Sequence, residues 1–106
     1  MTREHRQFQS GQIIVHKRYG YRGVIVSVDD RFEGSDDWYD AVALSRPAKD
    51  RPWYHVLVDE SAYETYVAEA HLMSDFSDEP IDHPLVEVFW DDFEDGHYTR
   101  EQRLMN

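Results

Sequence analysis

The chain contains no cysteine at all. That excludes a disulfide framework, thiolate chemistry and a zinc knuckle. Its five glycines are scattered, so there is no glycine-rich loop to cradle phosphate. No apolar run approaches the length of a membrane span, and the opening MTREHRQFQSGQ lacks the apolar stretch of a secretory signal. The expectation is a soluble, cytoplasmic protein. Positive charge is scarce too, with 11 Lys and Arg against 22 Asp and Glu.

The scarcity is uneven. Residues 1–53 carry nine basic and eight acidic side chains, whereas residues 54–106 carry two and fourteen. The first 26 residues hold Arg3, Arg6, Lys17, Arg18 and Arg22 against Glu4 alone. An acidic second half repels phosphate, while the first segment attracts it. Apolar residues make up 41% of the 106, enough for one modest core in a single domain spanning residues 1–106.

The stretch RPWYHVLVDE at 51–60 is the most ordered. Pro52 suits the first position of a strand, where its missing donor is tolerated. Alternation then puts Trp53, His55 and Leu57 on one face and Tyr54, Val56 and Val58 on the other. Both faces are largely apolar, so this strand is expected to be covered on both sides. QIIVH at 12–16 and RGVIVSVD at 22–29 are β-branched runs around a tight connection at Gly20. A further strand is expected at about 64–68, and a turn should then return Leu72 to the core. These strands should form one antiparallel, mostly closed sheet over Val15, Val24, Val26, Val56, Leu57, Val67 and Leu72. Residues 29–51 read as a long excursion with a helical turn around Trp38 to Leu44, and such excursions are often functional or mobile. Residues 74–80 read as a linker. In HPLVEVFWDDFEDG, the spacing of Leu85, Val88, Phe89 and Phe93 predicts a helix, with Pro84 at its first position and Gly96 as its cap. The fold class is therefore mainly β: a small antiparallel barrel with a short C-terminal helix.

No catalytic constellation emerges. Paired acids are too abundant to be specific, and the serines lack a nucleophile context. The expectation is a non-enzyme without cofactor. Of the six histidines, His16 and His55 lie on strands, where hydrogen-bonded structural roles are expected rather than metal ligation. What remains is recognition. Trp53, Tyr54, Tyr19 and Tyr21 offer stacking surfaces, or else fill the core and an oligomer interface.

The ordered series Gly11-Gln12, Val15-His16, Tyr21 to Ile25, Asp29, Pro52 to Leu57, Tyr66 to Glu69 and Leu72 resembles the YccV-like, or hemimethylated-DNA-binding, domain. The resemblance runs from about Phe8 to Tyr98 and is nearest the stand-alone heat shock proteins of the HspQ type. Asp30 and Arg51 depart from the common pattern, where proline and glutamine or a small residue are usual. The motif positions are Gly11, His16, Gly23, Asp29, Pro52, Trp53, Tyr54 and His55. The resemblance implies a barrel like that of Src-homology-3 domains, self-associated as a trimer. It also implies two activities: influence on ATP-dependent proteolysis through contact with a protease or its substrates, and binding of hemimethylated DNA. For DNA, contacts would come from Lys17, Arg18 and Arg22 with Tyr19 and Tyr21 beside them. A net charge of −11, tripled in a trimer, opposes duplex binding and favours the protein role.

Overall fold

The computed structural model describes residues 6–100. Five strands form one antiparallel sheet: β1 (Ile13–His16), β2 (Arg22–Asp29), β3 (Trp53–Val58), β4 (Glu64–Ala68) and β5 (Leu72–Ser74). Their order across the sheet is β4-β3-β2-β1-β5. β4 and β5 are thus its two edges, yet only the 3₁₀ turn Glu69–His71 separates them. Three residues at about 2 Å each cannot span a flat sheet of five strands. The sheet has to curl until its edges approach, which is the barrel architecture expected.

The curl is helped by a bulge. The register of β2 on β3 slips by one residue between Ile25 and Ser27, and an extra residue on one strand raises the local twist. Close packing of the two strands also depends on Gly23, where a Cβ would stand 2.5 Å from a Val56 methyl and 2.7 Å from the Leu57 carbonyl oxygen.

Inside the curl lie Phe8, Ile14, Ile25, Tyr54, Val56, Val67 and Leu72. The outer face of β3 is covered by two separate arms. One holds α1 (Asp36–Val42), begun by Ser35, whose hydroxyl accepts from the Trp38 amide. This arm packs Phe32, Trp38 and Tyr39 around Trp53. The other is the C-terminal segment, which lays Ile81, Trp90 and Tyr98 over Ile13, Val24 and Leu57. His55 sits between the arms and stays half-buried. Both faces of β3 are therefore covered, as its alternation requires.

Two expectations are corrected. Val15 and Val26 are only half-buried; Val15 faces outward beside Ile13, and Val26 occupies the bulge. Ile13, Ile14 and Ile25 fill the core in their place. The C-terminal helix is the larger correction. Only one turn forms, α2 (Val86–Phe89), followed by a hairpin of β6 (Asp92–Glu94) and β7 (His97–Thr99). Leu85, Val88 and Phe89 are exposed rather than buried, while Trp90 and Tyr98 go inside. Asp95 and Gly96 both adopt positive φ, 54° and 78°, the combination a two-residue hairpin turn of the right twist needs. Gly96 thus serves a hairpin, not a helix cap.

Candidate functional site

A cleft of about 550 Å³ opens where β4, the β1–β2 turn and the α1 arm meet. Arg18, Tyr19 and Tyr21 form one wall, Trp38 and residues 42–45 with Pro47 the other, and all of β4 lies between them. The lining is mostly apolar and aromatic, and among the described residues Glu64 is its one carboxylate.

Its aromatic side is built on Asp29. That carboxylate accepts from the Tyr66 hydroxyl at 2.7 Å and lies 3.2 Å from His55 Nε2. His55 also approaches Glu64 through Nδ1 at 3.4 Å and packs on the Tyr66 ring. Burial, reinforced by the Asp29 bond, pushes the Tyr66 hydroxyl up to about 12. Tyr66 stays neutral and fixed, with Trp38, Trp53 and Phe32 packed around it. The motif residues Asp29, Trp53 and His55 therefore shape the cleft.

The opposite wall is built on His16, whose side chain is buried. Its Nδ1 accepts from the amides of Arg18 and Tyr19, both at 3.1 Å, so this nitrogen carries no proton. Tyr19 stacks on the ring at 4.8 Å and His71 at 5.7 Å. Burial first, then His71 and Arg18, holds His16 below its ordinary value. The neutral form belongs to the folded state, so stability is complete above about pH 6.5 and declines as pH falls from there through the lowered folded value. Urea unfolding at pH 7.5 and pH 5 should show this decline, and His16→Gln should reduce it. An unchanged decline in the variant would remove His16 as its source.

The sequence cluster divides in space. Lys17, Arg18 and Tyr19 are exposed on the β1–β2 turn and Tyr21 is half-buried, its hydroxyl 2.8 Å from that of Thr65. Arg22 points elsewhere, bound to Asp59, Asp75, Ser77 and the Glu79 carbonyl. Arg6 pairs with Asp30 at 2.7 Å, and Arg3 lies outside the described residues. Arg51 instead joins Lys17 at a smaller hollow beside Ala68 and Glu69. Tyr54 is fully buried, its hydroxyl 2.5 Å from Glu69 and its phenol held well above the usual range by burial and that contact. Gly11 and Pro52 are structural. Sequence reasoning missed Trp38, Leu44, His71 and Ser45 as cleft residues and Arg51 at the adjoining hollow; the Ser45 hydroxyl meets His71 Nε2 at 2.9 Å and ties the arm to the 3₁₀ turn. Their one signal was the unusual length of the excursion that carries most of them.

Among the described residues, no group of three or more His, Asp or Glu is placed to hold a metal ion, and no helix is long and apolar enough to cross a membrane. The family model described as hemimethylated DNA-binding protein YccV like matches residues 6–97. The chain belongs to the YccV-like family. In this YccV-like chain the motif residues are divided between barrel core and cleft.

Proposed function

We propose that the protein is a non-enzymatic quality-control factor of the HspQ type. In this reading it acts in the cytoplasm as a homotrimer and modulates ATP-dependent proteolysis by binding a protease subunit or its client. The observation that carries this is the cleft's rim. Tyr19, Val42 and Leu44 are 72%, 54% and 78% exposed around an apolar, aromatic floor, and such a surface suits a protein ligand. The chain's charge of −11 does not oppose that ligand as it opposes phosphate.

DNA binding is the second reading, favoured by the family's description and by Lys17, Arg18 and Arg51 bordering adjoining hollows. Two assays separate them. The first reading expects changed client turnover when the protein is added to an ATP-dependent protease, together with undetectable duplex binding at physiological salt. The second expects hemimethyl-selective duplex binding that falls steeply between ~50 and ~200 mM salt and is lost on Lys17→Ala with Arg18→Ala. Unchanged turnover together with such binding would reject the first reading. Light scattering tests the trimer, which a monomeric mass would exclude.

A further inference from the structure

β4 is an edge of the sheet, and the register decides what that edge offers. In an antiparallel pair, alternate residues exchange hydrogen bonds with the partner strand, and those between point away from it. Val58 N–H donates to the Tyr63 carbonyl and Glu69 N–H to that of Pro52, while Thr65 and Val67 stand opposite Val56 and Tyr54. Residues 63, 65, 67 and 69 therefore bond toward β3. The amides and carbonyls of Glu64, Tyr66 and Ala68 point the other way. Among the described residues no backbone group outside the sheet bonds to Glu64 or Tyr66, whereas Ala68, which caps the 3₁₀ turn, already gives its carbonyl to that turn and leaves only its amide free.

Their free side is the cleft. Thr65 lies with Tyr21 on one face of β4, and Tyr66 with Trp38 on the other, yet all four line the same space. A cleft that touches both faces of a strand has the strand's edge as its floor. Five residues of edge extend for about 17 Å, and such an edge pairs readily with another extended chain.

Charge distinguishes the two ends. Tyr21 meets Thr65, and the Lys17 amide donates to the His71 carbonyl at 2.8 Å. The β1–β2 turn thus runs beside β4 with its cations toward Ala68, where Lys17 and Arg51 border the adjoining hollow. Glu64 marks the other end, directly after the acidic turn that holds Asp59 and Glu60.

We propose that β4 accepts an extended segment of another protein as an added strand, its apolar side chains seated between the β1–β2 turn and the α1 arm and its acidic side chains at the Ala68 end. Backbone pairing supplies affinity in this mode, and side chains on alternate positions supply selectivity. The inference rests on the protein-recognition reading and gives that partner a shape and a charge.

The probe is a labelled seven-residue peptide with blocked ends, alternating valine and threonine and finishing in two aspartates, titrated into the intact protein by fluorescence anisotropy. Saturable binding is expected. Methylating the peptide nitrogens that face β4 should weaken it by about tenfold or more. Glu64→Pro removes one outward donor at a position where an edge tolerates proline, and should also weaken it. Lys17→Glu with Arg51→Glu should reverse the preference for aspartate over lysine at the peptide's end, and this double variant decides the matter if Glu64→Pro does not fold. Equal binding of the methylated peptide would overturn the proposal. So would an oligomer that dissolves in Glu64→Pro, because a second copy would then hold the edge. Turnover assays separate the two levels of inference. A folded Glu64→Pro protein that still alters proteolysis overturns strand addition and leaves the recognition role standing. Peptide binding that Glu64→Pro abolishes, with no effect of the native protein on proteolysis, supports strand addition and removes that role.

Discussion

Gly11→Ala should lower stability by about 3–5 kcal/mol, a large share of the total for a domain this size. Gly11 sits at φ +90°, and a Cβ there would land on the Tyr98 carbonyl oxygen. The same residue holds two structures together. Its amide donates to the Ile25 carbonyl and its carbonyl accepts from the Tyr98 amide, both at 2.8 Å. Relieving the collision therefore means lifting the C-terminal hairpin from β1 and exposing Trp90 and Tyr98. Gly20→Ala is the control, because Gly20 also has a positive φ, 75°, but nothing lies within 4 Å of the added carbon. It should lose only about 1 kcal/mol. Urea midpoints for the two variants at equal slope measure the difference, and equal losses would refute the role of the hairpin contact.

Arg22→Ala should cost about 2–4 kcal/mol at neutral pH, somewhat below the penalty for breaking a fully buried pair. The guanidinium lies 3.1 Å from both Asp59 and Asp75, whose side chains are only 16% and 11% exposed. It also holds the Glu79 carbonyl at 2.5 Å. Truncation leaves two poorly solvated carboxylates facing each other without their cation. Burial alone would push Asp75 up, but the Ser77 hydroxyl and Arg22 outweigh it and hold the carboxyl below its ordinary value. A depressed folded value contributes stability above the unfolded value of about 3.9, and that contribution is lost as pH falls through the folded value. The gap between native protein and variant should therefore be widest at pH 7 and shrink below about pH 4. Denaturation at both pH values checks this. A gap independent of pH would show that packing, not charge, is what Arg22 supplies. Arg22→Lys should recover part of the loss, since it keeps the charge without the fork.

These two residues also show what the sequence reveals. The strands at 22–29 and 53–58 are legible because β-branched runs and alternation are local properties, and Gly23, Pro52 and the β3 aromatics fall where local rules place them. The tail was misread because Leu85, Val88, Phe89 and Phe93 satisfy helical spacing, while the competing signal is one dipeptide, Asp95-Gly96. What decides between them is the docking of Tyr98 on Gly11, a contact that no local window contains. Arg22 is similar. Nothing in the segment 17–22 separates it from Lys17 and Arg18, because the acids that claim it lie 37 and 53 residues further along. The cleft was half legible: its Tyr19 and Tyr21 wall is contiguous in sequence, whereas Trp38, Leu44 and Ser45 reach it only through the path of the long excursion.

The bulge at Val26 has a consequence for where polarity can sit in β2. Before it, Ile25 points into the barrel and Val24 outward; after it, Val28 packs inward and Asp29 outward. The extra residue acts as a phase shift. With unbroken alternation, position 29 would share the inward phase of Ile25, and its carboxylate would enter the apolar interior beside Phe8 and Tyr54. One inserted residue exchanges that uncompensated charge for the anchor of Tyr66 and His55. The strand changes from core to cleft by timing rather than by composition.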